Sequence, residues 1–178
     1  MPALSQQLAS LTGRWALDPA RSSVELTSRA MGLFRVRGRF GEVRGTGTIA
    51  PDGRVSGSLT LIAASLDTGN QRRDEHLRSA DFFDCGQYPE ITFTADRIRP
   101  AGEGAGVTGT LTVRGTTRPL SFEAAVTVRG DGEIVLEAVV PVNRADFGLT
   151  WNMLGMTGWI STVTLQATFV PDVRGRAA

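Results

Sequence analysis

The stretch STVTLQATFV, residues 161–170, sets Val163, Leu165, Ala167 and Phe169 against Thr162, Thr164, Gln166 and Thr168. Successive side chains of a strand point to opposite faces, so this period of two predicts a strand with one buried and one wet face. The same period runs back along the chain. EIVLEAVVPV (133–142), PLSFEAAVTV (119–128), TLTVRG (110–115) and EITFTA (90–95) repeat it. SSVELTSRA (22–30) places Val24, Leu26 and Ser28 on one side, and FRVRGRF (34–40) places Phe34, Val36, Gly38 and Phe40 opposite Arg35, Arg37 and Arg39. PDG at 51–53, AGEGAG at 101–106, RGTTRP at 114–119 and RGDGE at 129–133 supply the turns. Short turns between consecutive strands mean hairpins and antiparallel pairing. About eight strands in meander order predict a closed barrel, the size that either fills with side chains or holds one small ligand.

Composition closes off most chemistry. All nineteen basic residues are Arg, so lysine Schiff bases and Walker-type phosphate loops have no amine to work with. The lone Cys85 excludes an intramolecular disulfide and any CxxC pair, and the single His76 excludes multi-histidine metal sites. No cofactor or metal is expected. A formal net charge of +1 gives no bulk attraction to nucleic acid. The opening MPALSQQLASLTGRW lacks a basic and then apolar leader pattern, and no apolar run approaches membrane-helix length, so a cytoplasmic location is expected. The chain divides into an arm at 1–12, a barrel at 13–171 and a tail at 172–178. Leu4, Leu8 and Leu11 share one helical face of the arm, which is read as a frayed end or a barrel plug.

Two regions break the period. In LDTGNQRRDEHLRSADFF (66–83), Asn70 is expected to cap a short helix on which Asp74 and Arg78 pair, with Asp81 capping a further turn that directs Phe82 and Phe83 inward. NRADFGLTWNMLGMTGWIS (143–161) mixes two Trp, two Met and three Gly without a period, as a pliable apolar rim would.

WALDPARSSVEL, VRGRFGEVRGTG, LDTGNQRRDEHLRSADFFD with YPEITF, VTGTLTVRGTTRPLSFEA and NRADFGLTWN together resemble the YceI family, lipocalin-like polyisoprenoid-binding proteins of bacteria. The resemblance covers roughly residues 13–170. One departure stands out: where many members carry a histidine a few residues after the early serine pair, this chain has Arg29. The resemblance implies an all-β, eight-stranded antiparallel lipocalin-like barrel, with one short helical segment in the 68–84 connection. It also implies a long apolar cavity for an isoprenoid chain and no established catalytic residues.

Phe34, Phe40, Phe82, Phe83, Phe93, Leu111, Phe122, Trp151, Met153, Met156 and Trp159 are the expected cavity lining, with 143–161 as the portal. The small residues Gly38, Ala95 and Ala124 are expected to leave interior volume. His76 is read as a structural hydrogen-bonding residue, since no GxSxG elbow accompanies it. Gly104, Gly106 and Gly109 spell GxGxxG without a following helix and are read as a hairpin loop. Cys85 is read as a packing residue. Arg35, Arg37 and Arg39, with Arg29 and Arg44 nearby, are by default a solvated face, the alternative being transient contact with anionic lipid headgroups. The expected function is to sequester or carry an isoprenoid lipid, such as a polyprenol or a quinone tail. Two alternatives stay open: an enzyme on an apolar substrate with His76 as acid or base, and a filled barrel acting as an interaction module, as in a homodimer.

Overall fold

The computed structural model describes residues 2–152 and 157–176. Alternating strands bury their apolar faces by curling one sheet onto itself. The strands are β1 (Gly13–Leu17), β2 (Ser23–Ala30), β3 (Phe34–Phe40), β4 (Val43–Ile49), β5 (Val55–Ile62), β6 (Leu66–Asp67), β7 (Glu90–Ala101), β8 (Gly104–Val113), β9 (Thr116–Val128), β10 (Ile134–Asn143) and β11 (Thr157–Pro171). The first six form three bent strands. β1 pairs with β4, Trp15 opposite Gly47, while β2 pairs with β3, Leu26 opposite Gly38. β5 continues as β6, which pairs with the end of β3. Eight staves therefore run in meander order, and Leu17 opposite Phe169 closes the first onto the last. The fold is a closed eight-stranded antiparallel barrel with few short helices.

Local chemistry sets the bends. Between β1 and β2, the 3-10 turn Pro19–Arg21 is capped by Asp18, whose carboxylate accepts from the Ala20 amide at 3.0 Å and from Arg21 Nε at 2.8 Å. Between β8 and β9, Val113 faces Thr116 across a two-residue turn in which Arg114 and Gly115 both hold positive φ, 49° and 72°. That geometry matches the twist of the flanking strands.

Helix α1 (Leu4–Ala9) plugs one end of the barrel. Leu4 and Leu8 are buried against Trp15, Ile49 and Ile134, and the Trp15 indole donates to the Leu11 carbonyl at 3.1 Å. At the other end lies α2 (Gln71–Arg78). Asn70 caps it, accepting from the Arg73 amide at 2.9 Å, but the expected Asp74–Arg78 pair does not form. Asp74 turns inward, is 6% exposed, and accepts from the amide and hydroxyl of Thr68. Arg78 donates instead to the carbonyls of Ala64 and Leu66. Helical spacing brought the two residues to one face, yet the unpaired backbone at the end of β6 is the stronger demand. Ser79, not Asp81, organises the following turn: its carbonyl accepts from the amides of Phe82 and Asp84.

The GxGxxG glycines lie inside β8 rather than in a loop; the turn is Gly102–Glu103. A Cβ at Gly109 would stand 2.0 Å from the Thr94 carbonyl oxygen, where β7 shifts register between Ala95 and Arg97. Close backbone approach, not ligand binding, is what that glycine serves.

Candidate functional site

Inward residues of the staves enclose a cavity of about 640 Å³, lined almost wholly by apolar surface. That volume lies within the range of small-molecule sites. β2 contributes Val24 and Leu26, β3 contributes Val36 and Phe40, and β5 contributes Leu59 and Leu61. Ile91 and Phe93 of β7, Leu111 of β8, Phe122 of β9, Val140 of β10 and Val163 and Leu165 of β11 complete the wall. Phe82 and Phe83 enter from the turn after α2 and meet edge to face, centroids 4.8 Å apart.

Of the residues singled out in the sequence, Phe40, Phe82, Phe83, Phe93, Leu111, Phe122 and Trp151 line this cavity. Phe34 and Trp159 do not. Phe34 has the inward parity of Val36 and Phe40, but it stands at the start of β3 beyond the rim and is 59% exposed. Trp159 falls where the β11–β2 pairing shifts register between Thr157 and Ser161, and its ring takes the Arg144 guanidinium at 4.5 Å. Met153 and Met156 lie outside the described residues. Gly38 borders the cavity, with the Leu66 side chain close beside it: a Cβ there would meet Leu66 at 2.6 Å. Ala95 and Ala124 are buried with Val107, Ala138 and Val140.

A second chamber of about 100 Å³ lies toward α1, bounded by Leu8, Trp15 and Ile49. Leu59, Phe93, Phe122 and Leu165 border both chambers. The Phe93 and Phe122 rings are 5.4 Å apart and form a waist between them.

Polar groups concentrate at the opposite end. Arg29, Asn70, Arg72, Arg73 and His76 reach the cavity there, with a Ser28–Ser161 hydroxyl pair at 2.7 Å on the wall. Arg73 is held by the Thr68 hydroxyl and carbonyl. His76 makes no hydrogen bond within its helix through the ring. Its Nε2 stands 3.6 Å from Asp81, and its ring lies 4.2 Å from that of Trp151. Burial pushes the Cys85 thiol up from its ordinary value, which disfavours the thiolate.

Sequence reasoning missed Arg144. It is 3% exposed and donates to the carbonyls of Leu149, Trp151 and Gly158 at 2.6, 2.7 and 3.0 Å. Burial lowers its pKa from the usual arginine value, yet it ties both flanks of the aperiodic segment together. No spacing signal marks such a residue. The aliphatic lining was within reach of the alternation: Leu26 shares the side of Val24, Val36 the parity of Phe40, and Val163 and Leu165 the apolar side of β11.

Comparison with known proteins follows the same outline. The family model described as the YceI-like domain matches residues 15–170. Protein YceI of Escherichia coli O17:K52:H18 is 40% identical over 74 residues, 42% of this chain and 39% of that protein. The stretch matched is thus less than half of that relative. Among solved structures, Burkholderia cenocepacia BcnA superposes with a TM-score of 0.78 at 23% identity, covering 85% of this chain and 98% of that one. A polyisoprenoid binding domain from Saccharophagus degradans, implicated in plant cell wall breakdown, gives 0.70 at 17% identity, covering 89% and 98%.

Proposed function

Because the chain belongs to the YceI-like domain family, we propose that its barrel is a binding protein, rather than an enzyme, which sequesters or carries an isoprenoid chain. The observation that carries this reading is the 640 Å³ apolar cavity, open at the polar end and narrowed at the other by the Phe93–Phe122 waist, beyond which α1 caps the small chamber. A polyisoprenoid binding domain of the same fold supports the ligand class. Burial of the chain supplies the driving force, worth about 0.8 kcal/mol per CH₂ removed from water. Ordering a flexible chain offsets part of that sum. With so few polar groups inside, cavity length and girth set selectivity, and the polar end receives a headgroup such as a polyprenol hydroxyl or a quinone ring.

Mass spectrometry of the purified protein, native and after organic extraction, tests the reading. A stoichiometric isoprenoid is expected. No bound lipid, together with no uptake of offered polyprenols, would overturn it. Trp151 carries a second test, since it lines the cavity and is 37% exposed. Trp151→Ala should speed lipid loss several-fold in a competition assay while the far-UV circular dichroism is unchanged. Retention equal to wild type would remove Trp151 from the portal.

A further inference from the structure

We propose that the open end of the barrel docks on a bilayer carrying anionic headgroups, with the 31–34 hairpin tip entering the interface. Eight large hydrophobic side chains are exposed among the described residues, and six of them, Met31, Leu33, Phe34, Trp151, Trp159 and Ile160, belong to this end. Register places them together. Ala30 lies opposite both Phe34 and Thr157, so the tip and the start of β11 are neighbours. Arg144 joins Trp159, through its ring, to Trp151, through its carbonyl. Leu33 is 87% exposed at the crest of the turn, where Met31 and Gly32 hold positive φ of 53° and 67°. A turn of this kind would ordinarily carry polar residues. Aromatic side chains flanking an apolar tip suit the headgroup level of a membrane.

Charge identifies the surface further. Residues 26–41 contain four arginines and no acidic residue. Arg29 and Arg35 stand directly opposite one another across β2 and β3, an arrangement that repels in water. Among the described residues Arg29, Arg35 and Arg37 form no salt bridge. Phosphate groups at a membrane surface would neutralise them. An apolar tip inside an arginine collar therefore fits an anionic bilayer better than a second copy of this chain, which would bring two positive collars together. The advantage of docking rests on the carrier reading: a mouth at the membrane lets an insoluble chain pass without crossing water.

The test is co-sedimentation with vesicles of phosphatidylcholine alone and with phosphatidylglycerol added, at low and high salt. Wild type should partition onto the anionic vesicles and release as salt screens the arginines. Arg35→Gln with Arg37→Gln should lower that partitioning by roughly tenfold or more. Leu33→Asp should lower it as well. Both variants alter exposed residues and should still load isoprenoid from detergent. Equal binding to both vesicle types, or binding unmoved by either variant, overturns the proposal. So does a dimer, seen by light scattering, that Leu33→Asp disperses while vesicles bind nothing. Normal isoprenoid loading without vesicle binding rejects docking and leaves the carrier reading. Vesicle binding by protein that never takes up isoprenoid does the reverse.

Discussion

Gly109 and Arg144 show how single residues hold the barrel in shape. At Gly109 any side chain meets the Thr94 carbonyl, a backbone atom that cannot rotate away. Gly109→Ala should therefore destabilise by about 2 kcal/mol or more, from strain of the kind that overpacking causes. A urea midpoint within error of wild type would refute this. Arg144→Ala would leave three carbonyls at the open end without their donor. A carbonyl left buried without its donor costs about 1–3 kcal/mol. Only the Leu149 bond is fully buried while the other two are part-buried, so a loss of about 2–4 kcal/mol is expected, read by the same denaturation. Arg144→Lys should recover only part of it, since an ammonium cannot match the planar fork.

At the scale of elements, Asp18 and the turn it caps join β1 to β2. The Arg21 hydrogen bond, helped by the Ala20 amide, holds the Asp18 carboxyl below its ordinary value of 3.8. A lowered folded-state pKa contributes stability above the unfolded pKa and loses it as pH falls through the folded one. The difference in melting temperature between wild type and Asp18→Asn should thus be full near neutrality and shrink below pH 3.8. A difference independent of pH would place the effect elsewhere. Elements were also where the sequence spoke most clearly. Period-two runs identified the strands, and Asn70 announced α2. Two features were hidden. Asp74 answers Thr68, six residues before it, rather than Arg78, four after, a choice that helical spacing does not make. Leu66 packs beside Gly38, a neighbour distant in sequence. Phe34 shows a third limit: parity tells which way a side chain points, but not how far up the wall it stands.

For the whole molecule, the waist matters most. Phe93 and Phe122 divide the interior into a large and a small chamber, so on the carrier reading a bound chain would rest on the pair. Phe122→Ala should open the chamber of about 100 Å³ and shift extracted lipid toward longer chains. An unchanged length distribution at full loading would mean that something other than the waist measures the chain. Family membership and the barrel itself were legible in the motifs and the alternation. The waist was not, because it depends on two inward aromatics of β7 and β9, one strand apart, meeting over β8.

Closure by Leu4 and Leu8 at the far end makes the interior behave like a capped syringe. Whatever occupies it beforehand has to escape backwards past the incoming chain, or the cap has to lift. Filling would then be slow for a snug chain and quicker for a thin one, so the rate of uptake and the final tightness need not follow the same order. Loosening the cap, for instance with Leu8→Ala, would vent the barrel and hasten filling even if the grip on the finished complex became weaker.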